Sequence, residues 1–495
     1  MFMARARGLR LDKPDISTVR ADDNHVMHRL VRGELLMTRC PVLPIGGRRQ
    51  EWHSGVAQVG SSATAMREIL ESRRYSAAAP GLLRSLRMLT RMQGCFALAT
   101  CLSLFGCGTT VDASPAPEGC DGTVEVPDPA LAAGLRELLG LDADEPIPGA
   151  ALAVPESLSL DNLGIENLSG LECATSVEQL FLEGNRIEDI SILMRLPRLY
   201  NLHLDANRIV SLGALSGHQA LMTLTARDNL VSSTSDLNDL PELQNLTLSG
   251  NPLEALEGLD GLDALFHLSV ERTLVAELSS LSKFPALNNA YFTYTKVTSL
   301  ATLPSHHSLT ALHLERAEVE DARIVASLPF LEVLMLSDNR IASIAGIEPA
   351  NVPRLNSLGL AGNPLTDTSP LANHPQLMVV QIGDIGPSGA DLSWVMGLTN
   401  LMWIEASSDS ITDLSPLVGV PRVHTLDLSD NLIEDASLLN DIEFDRCARV
   451  SIAGNPGESS FGDVLDALCA NNIVVTGYCL PAACDPCEHG AHCGE

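Results

Sequence analysis

The sequence predicts an α/β solenoid of about fourteen coils, capped at both ends, in which each coil adds one strand to a parallel β-sheet on a concave face. Three observations predict it. The phrase L-x-x-L-x-L-x-x-N recurs in a single phase and ends at Asn185, Asn207, Asn229, Asn251, Asn339, Asn363, Asn431 and Asn455. Leu163, Thr273, Thr295, Ala317, Ile385 and Asp409 fill the gaps in register, so the step is 22 residues, with three steps of 24 ending at 363, 409 and 455. Proline keeps the same phase: Pro197, Pro241, Pro285, Pro329, Pro353, Pro375 and Pro421 each stand two residues before the first apolar strand position.

Each coil follows from these residues. In Leu199-Tyr200-Asn201-Leu202-His203-Leu204 the apolar residues Leu202 and Leu204 sit two apart, so on a strand both point inward and His203 points out. No coil buries its leucines alone; stacking on its neighbours does so. The inward Asn needs partners once buried, and backbone of its own and adjacent coils can supply them as a ladder of amides. Thr273, Thr295, Ala317 and Asp409 weaken that ladder, so the middle of the array is expected to be its least regular part. The prolines remain in the turns, where a missing N–H does no harm. A 22-residue coil leaves little room for a helix opposite the strand, so short 3₁₀ turns should form the convex side. Fourteen strands at about 4.8 Å make a sheet roughly 65 Å long.

The phrases Leu182-Glu183-Gly184-Asn185-Arg186-Ile187-Glu188-Asp189-Ile190 and Leu428-Ser429-Asp430-Asn431-Leu432-Ile433-Glu434-Asp435 resemble the 22-residue leucine-rich repeats of bacterial internalin-like proteins. The resemblance implies a leucine-rich repeat horseshoe. Val126-Pro127-Asp128-Pro129-Ala130-Leu131, followed by Leu135, Leu138 and Leu139, is similar to the helical cap that opens many such arrays. Asp128 can serve as N-cap, Pro129 fits the first helical position and Gly140 can end the helix. The expected organisation is an upstream segment at 1–87, a lipoprotein-type signal peptide at 88–107, a linker at 108–122 and a helical cap at 123–154. Repeats follow at 155–456, a C-terminal cap at 457–480 and a Cys-rich tail at 481–495.

Charge divides the chain. Residues 1–107 carry 16 Lys+Arg against 8 Asp+Glu, and the remainder is strongly acidic, bringing the total to −30. Such a surface repels nucleic acid and anionic headgroups, and it favours basic partners or plain solubility. At the boundary, Arg84, Arg87 and Arg91 precede a short apolar run, Cys95 to Phe105, which is the build of a secretory signal and is too short to span a bilayer comfortably. Leu104-Phe105-Gly106-Cys107 resembles a bacterial lipobox, which implies lipidation of Cys107 and, with Gly108 next, an outer-membrane or cell-surface address. Phe105 is bulkier than the usual residue there. Because a signal belongs near a start, Met88 or Met92 is the expected initiator, with a cytoplasmic segment before a signal anchor as the alternative.

Removing the signal leaves Cys120, Cys173, Cys447, Cys469, Cys479, Cys484, Cys487 and Cys493, an even set suited to disulfides outside the cell. Cys120 and Cys173 flank the N-terminal cap, so a bridge between them is expected, with a second among Cys447, Cys469 and Cys479. The tail from Cys484 to Cys493 resembles the opening of an EGF-like module, although His489 and Ala491 depart from it and it is too short for a whole one. Its cysteines and histidines could also ligate zinc, but an oxidising compartment favours disulfides, and no metal or other cofactor is expected.

The outward strand positions form the face where function would sit. The candidate partner-binding residues are His267, Arg272, Tyr291, Tyr294, His313, Arg316 and Met335, with Trp403 further along. Aromatics are only 4 % of the chain, so their placement here is informative. Any open sheet face carries some aromatics, and that is the plain alternative for each residue. The sequence contains no P-loop, nucleophile-elbow, zincin or EF-hand motif. His267 and His313 are two coils and roughly 10 Å apart, too far to share one ion. His306-His307 falls on a turn as an expected solvated pair. These readings point to a monomeric, non-enzymatic envelope protein, anchored to the membrane by lipid alone. Its concave face would bind a protein or an extracellular polymer. The alternative is a structural or display scaffold whose face binds nothing.

Overall fold

The computed structural model describes residues 120–484, apart from 325 and 387–390. The upstream segment, the signal run, Cys107, Cys487 and Cys493 lie outside the described residues. A parallel sheet of 15 strands runs strictly in sequence order, from Ser157–Ser159 at one end to Val474–Val475 at the other. Fourteen strands come from the repeats and the last from the C-terminal cap. The fold is the open, horseshoe-like solenoid expected. Leu202, Leu246 and Leu334 are fully buried, as the inward positions require.

Strand partners lie one coil apart, as in Leu180↔Leu202 and Leu312↔Leu334. The longer step appears where Leu334 pairs Leu358 and where Val380 pairs Ile404. The convex side is built of 3₁₀ turns such as Ser191–Arg195, Ser369–Asn373, Ser415–Gly419 and Ser437–Asp441. An Asp two residues ahead starts many of them. Asp189, Asp367, Asp413 and Asp435 accept from the N–H groups of Ser191, Ser369, Ser415 and Ser437 at 2.8–2.9 Å, satisfying a donor that the turn leaves free.

The amide ladder holds the coils together. Asn185 Oδ1 accepts from the N–H groups of Leu163 and Ile165 at 3.1 and 3.0 Å. Its Nδ2 donates to the carbonyls of Leu160 and Leu182 at 2.9 and 3.0 Å. At the substituted positions the ladder thins. Thr273 and Thr295 each keep one bond, to the carbonyls of Val270 and Phe292 at 2.7 Å, and make none to the preceding coil among the described residues. The sheet itself does not become irregular there, contrary to expectation. His267, Asn289, Ala311 and Val333 pair in unbroken register, because backbone ladders need no help from the side chain below. The register shift falls instead between Val423 and Thr425, near the C-terminal end.

Both ends are closed. Helix α1, Pro129–Leu139, begins at Asp128 and ends at Gly140, whose φ of 68° is left-handed. One oxygen of Asp128 accepts from Ala130 and Leu131, and the other from Glu166 and Asn167 in the first coil. One carboxylate thus caps the helix and fastens it to the array. Burial works to raise its pKa, and the four backbone donors overcome that and hold it below the ordinary value. A disulfide joins Cys120 to Cys173. At the other end Cys469 joins Cys479, two of the three residues expected to share a bridge. Cys447 instead joins Cys484, which the EGF-like reading had placed in a separate tail. Cys447 stands at a φ of 60°, where the long strand Phe444–Ser451 turns it toward the tail.

His306 is not solvated. It is buried, with Nε2 on the Phe284 carbonyl at 2.9 Å and Nδ1 accepting from Ser308 and Leu309. His218 and His374 reach the Leu196 and Ile347 carbonyls in the same way. Each stands three residues before the first inward Leu, a position that other coils fill with apolar residues such as Leu196, Phe284 and Val352. Burial lowers the pKa of His306 and His374, so both rings stay neutral while they cap the preceding coil.

Candidate functional site on the concave face

Each three-residue strand places its first and last residues on the concave face and its middle residue in the core. The last residues stack coil on coil. His267, at a strand start, lies 5.0 Å from Tyr291, and Tyr291 lies 4.5 Å from His313 with the rings only 13° apart. A second stack, Phe181 on His203 at 4.8 Å, stands further toward the N-terminal end. Alternation in the strand pattern placed both residues on this face, but nothing in the sequence marked them as a pair.

The structure gathers His267, Arg272, Tyr291, Tyr294, His313, Arg316 and Met335 across four adjacent coils. It does not bring Trp403 to them. Trp403 lies three strands beyond Met335, and its Nε1 donates to Glu405 at 2.8 Å, while Gln381 donates to the same carboxylate. Within the cluster, His313 and Met335 are only 9 % and 6 % exposed. Neighbouring coils cover them, so they offer little contact area, and the accessible aromatic is Tyr294 at 47 %.

Beneath the stack lies a polar set. His313 Nδ1 is 3.3 Å from Glu315 Oε1, and Thr293 donates to Glu315 Oε2 at 3.0 Å. Burial pushes the Glu315 pKa up, but His313 and Thr293 outweigh it and keep the group below the usual range. His313 Nε2 is buried with no hydrogen-bond partner among the described residues.

The rim beside this face has a geometric demand. In every coil the residue just before the inward Asn, or its substitute, has a left-handed φ, from 50° at Asp228 to 76° at Gly454. Gly, Asn, Asp, Ala or Ser fills eleven of these places. Three successive coils carry Arg272, Tyr294 and Arg316, at 55°, 58° and 53°. A side chain there costs on the order of 1 kcal/mol against glycine. Tyr294→Gly is therefore expected to be more stable than Tyr294→Ala by about 1 kcal/mol, the reverse of the usual order. Urea unfolding of the two variants measures it, and an equal or better Ala variant would remove the claimed strain. The three side chains are tied down. Arg272 reaches Asp228 at 3.2 Å, and Arg316 bonds Asp338 at 2.9 Å, donates to the Tyr294 hydroxyl and covers the Tyr294 ring at 5.3 Å.

No group of His, Cys, Asp and Glu able to hold a metal ion occurs among the described residues, and no described helix is long and apolar enough to cross a membrane.

The family model for leucine-rich repeats in two copies matches residues 329–373. No curated protein matches the chain. An internalin (inlF) of Listeria monocytogenes is 28 % identical, with 66 % of this chain and 90 % of that one covered and a TM-score of 0.52. The functional domain of InlJ from the same organism is 17 % identical over 66 % and 75 % of the two chains, with a TM-score of 0.48. A leucine-rich-repeat protein of Leptospira interrogans is 16 % identical over 64 % and 83 %, at 0.45. The chain thus carries leucine-rich repeats and is similar in structure to an internalin.

Proposed function

We propose that this chain is a non-enzymatic binding protein of the bacterial cell envelope, lipid-anchored through Cys107, whose concave face recognises another protein or an extracellular polymer. Internalin-like leucine-rich repeats are typically protein-binding, which supports the class of function. The observation that carries the reading for this chain is the rim. Three successive coils keep Arg272, Tyr294 and Arg316 where backbone geometry favours glycine, and they do so next to the aromatic and histidine stack. Strain concentrated at one surface points to use of that surface. A single chain suffices for it.

The test is chemical crosslinking in native envelopes, comparing the full chain with its Tyr291→Ala/Tyr294→Ala variant. A partner captured by the first and lost by the second supports recognition. Equal capture, or none with either, supports the second reading, a structural or display scaffold. The burial of His313 and Met335 favours that alternative, because it fills part of the face from within.

A further inference from the structure

Two coils of the concave side carry two rings each. Tyr200 and His203 stand in one, and Phe266 and His267 in another three strands further on, roughly 14 Å away at about 4.8 Å per strand. Phe181 stacks on one face of His203 with 21° between the rings, so the other face looks along the array toward Thr225. Phe266 is 47 % exposed and Tyr200 half-buried, and neither stacks on another ring among the described residues. Between the ring-bearing coils lies a floor of amides and hydroxyls: Thr223 and Thr225 in one strand, Asn245 and Thr247 in the next. Its bonds are long. Asn245 Nδ2 donates to Thr223 Oγ1 at 3.4 Å, and Thr225 Oγ1 lies 3.3 Å from His203 Nδ1. Beside them the half-buried side-chain amide of Gln244 makes no hydrogen bond among the described residues. The charge pattern is a second observation. In every coil from Leu199 to His313, the residue before the strand and the strand's two outward residues include no Asp, Glu, Lys or Arg, in a chain with 62 acidic residues. Glu178 and Glu332, one coil beyond at either end, bound this uncharged stretch.

We infer that this stretch binds a neutral polysaccharide, with a few sugar rings over the Thr and Asn floor and their C–H faces against Tyr200, His203 and Phe266. The inference rests on the concave-face reading and chooses its polymer. Amides and hydroxyls need partners once a ligand covers them, and every sugar hydroxyl both donates and accepts. The C–H faces of the sugars bury apolar area against the rings. The core of a protein interface is more apolar than this floor. An anionic polymer is repelled by the net charge of −30, and a cationic one finds no carboxylate on the floor to pair with. A neutral sugar chain meets neither obstacle.

The probes are cellohexaose, maltohexaose, laminarihexaose, mannohexaose and chitohexaose, titrated calorimetrically against the full chain, with a hyaluronan hexasaccharide as the anionic comparison. At least one neutral probe is expected to bind, with an affinity that changes less than about twofold between low salt and about 0.15 M salt. Hyaluronan is expected to bind it roughly tenfold more weakly or not at all. Tyr200→Ala/Phe266→Ala is expected to weaken binding of the neutral probe roughly tenfold or more, and Gln244→Ala/Asn245→Ala, which keeps the rings, roughly fivefold. The control Phe330→Ala/Leu432→Ala removes two exposed apolar side chains outside the stretch and is expected to change binding less than about twofold. Thermal melts verify the fold of each variant. Binding of none of the neutral probes, tighter binding of hyaluronan, or equal weakening by the ring pair and its control overturns the inference. The envelope crosslink separates this from the broader reading. A protein captured by the full chain and lost with Tyr291→Ala/Tyr294→Ala, where no saccharide binds, keeps the concave face as the docking surface and removes the polysaccharide from it.

Discussion

Asp409→Asn is expected to raise the stability of the folded chain at about pH 8 by 2 kcal/mol or more. Asp409 occupies an amide position of the ladder and is fully buried. Its Oδ1 accepts from Ile385 N–H at 2.9 Å, as an Asn oxygen would, while Oδ2 has no partner among the described residues. The equivalent Asn363 spends its nitrogen on the carbonyls of Leu336 and Leu360 at 2.8 Å. An amide at 409 would find the carbonyls of Ile382 and Ala406 in the same relation. Burial pushes the Asp409 carboxyl up to about 7, the Ile385 donor opposes this, and Asp384 adds to it. The sign is then fixed. Below the free value of 3.8 both states are protonated. Between 3.8 and about 7 the unfolded chain releases its proton while the folded chain keeps it, so stability falls across that window and then levels off. A gap of that size corresponds to about 4 kcal/mol as an upper figure. The advantage of the Asn variant should grow from pH 4 to pH 7. Urea midpoints of both proteins across this range measure it, and a pH-independent difference would contradict the account.

Asn207→Ala is expected to cost about 3 kcal/mol or more. It removes the acceptor for Ile187 N–H, a longer donation to the Asp205 carbonyl at 3.3 Å, and the donations to the Leu182 and Leu204 carbonyls. Those carbonyls keep bonds from Asn185 and Asn229, so the deepest loss is the orphaned amide of Ile187. Thr273→Ala loses a single bond to Val270 and should cost about 1 kcal/mol. The contrast is the test: unfolding midpoints that placed the two variants together would mean the ladder contributes nothing beyond filling space.

The repeating parts of this molecule were legible because each is a local consequence of a residue type. Leu202 and Leu204 dictate a strand, Asn185 a ladder rung, and Asp128 a helix start. What escaped depends on neighbours in space. Nothing local to Cys484 says that Cys447 is turned toward it. His306 reads as a polar turn residue until the Phe284 carbonyl of the coil below is seen to need a donor. Met335 reads as an outward anchor, and it is buried where its sulfur lies over Gly359 of the next strand. The left-handed rim was also missed, although Gly184, Gly250, Gly362 and Gly454 mark it in the sequence. With those four in view, Arg272, Tyr294 and Arg316 stand out as departures from it.

One consequence follows from the closures at the two ends. A stack in which each layer touches only its neighbours ordinarily frays from its tips. Here Cys120–Cys173 pins one tip, and Cys447–Cys484 with Cys469–Cys479 pins the other. Rupture must then begin inside, where layers hold each other least, between Thr273 and Ala317. That span is the floor of the proposed docking surface. Anything gripping the surface there would splint the weakest seam, so occupancy and resistance to being pulled apart would rise together.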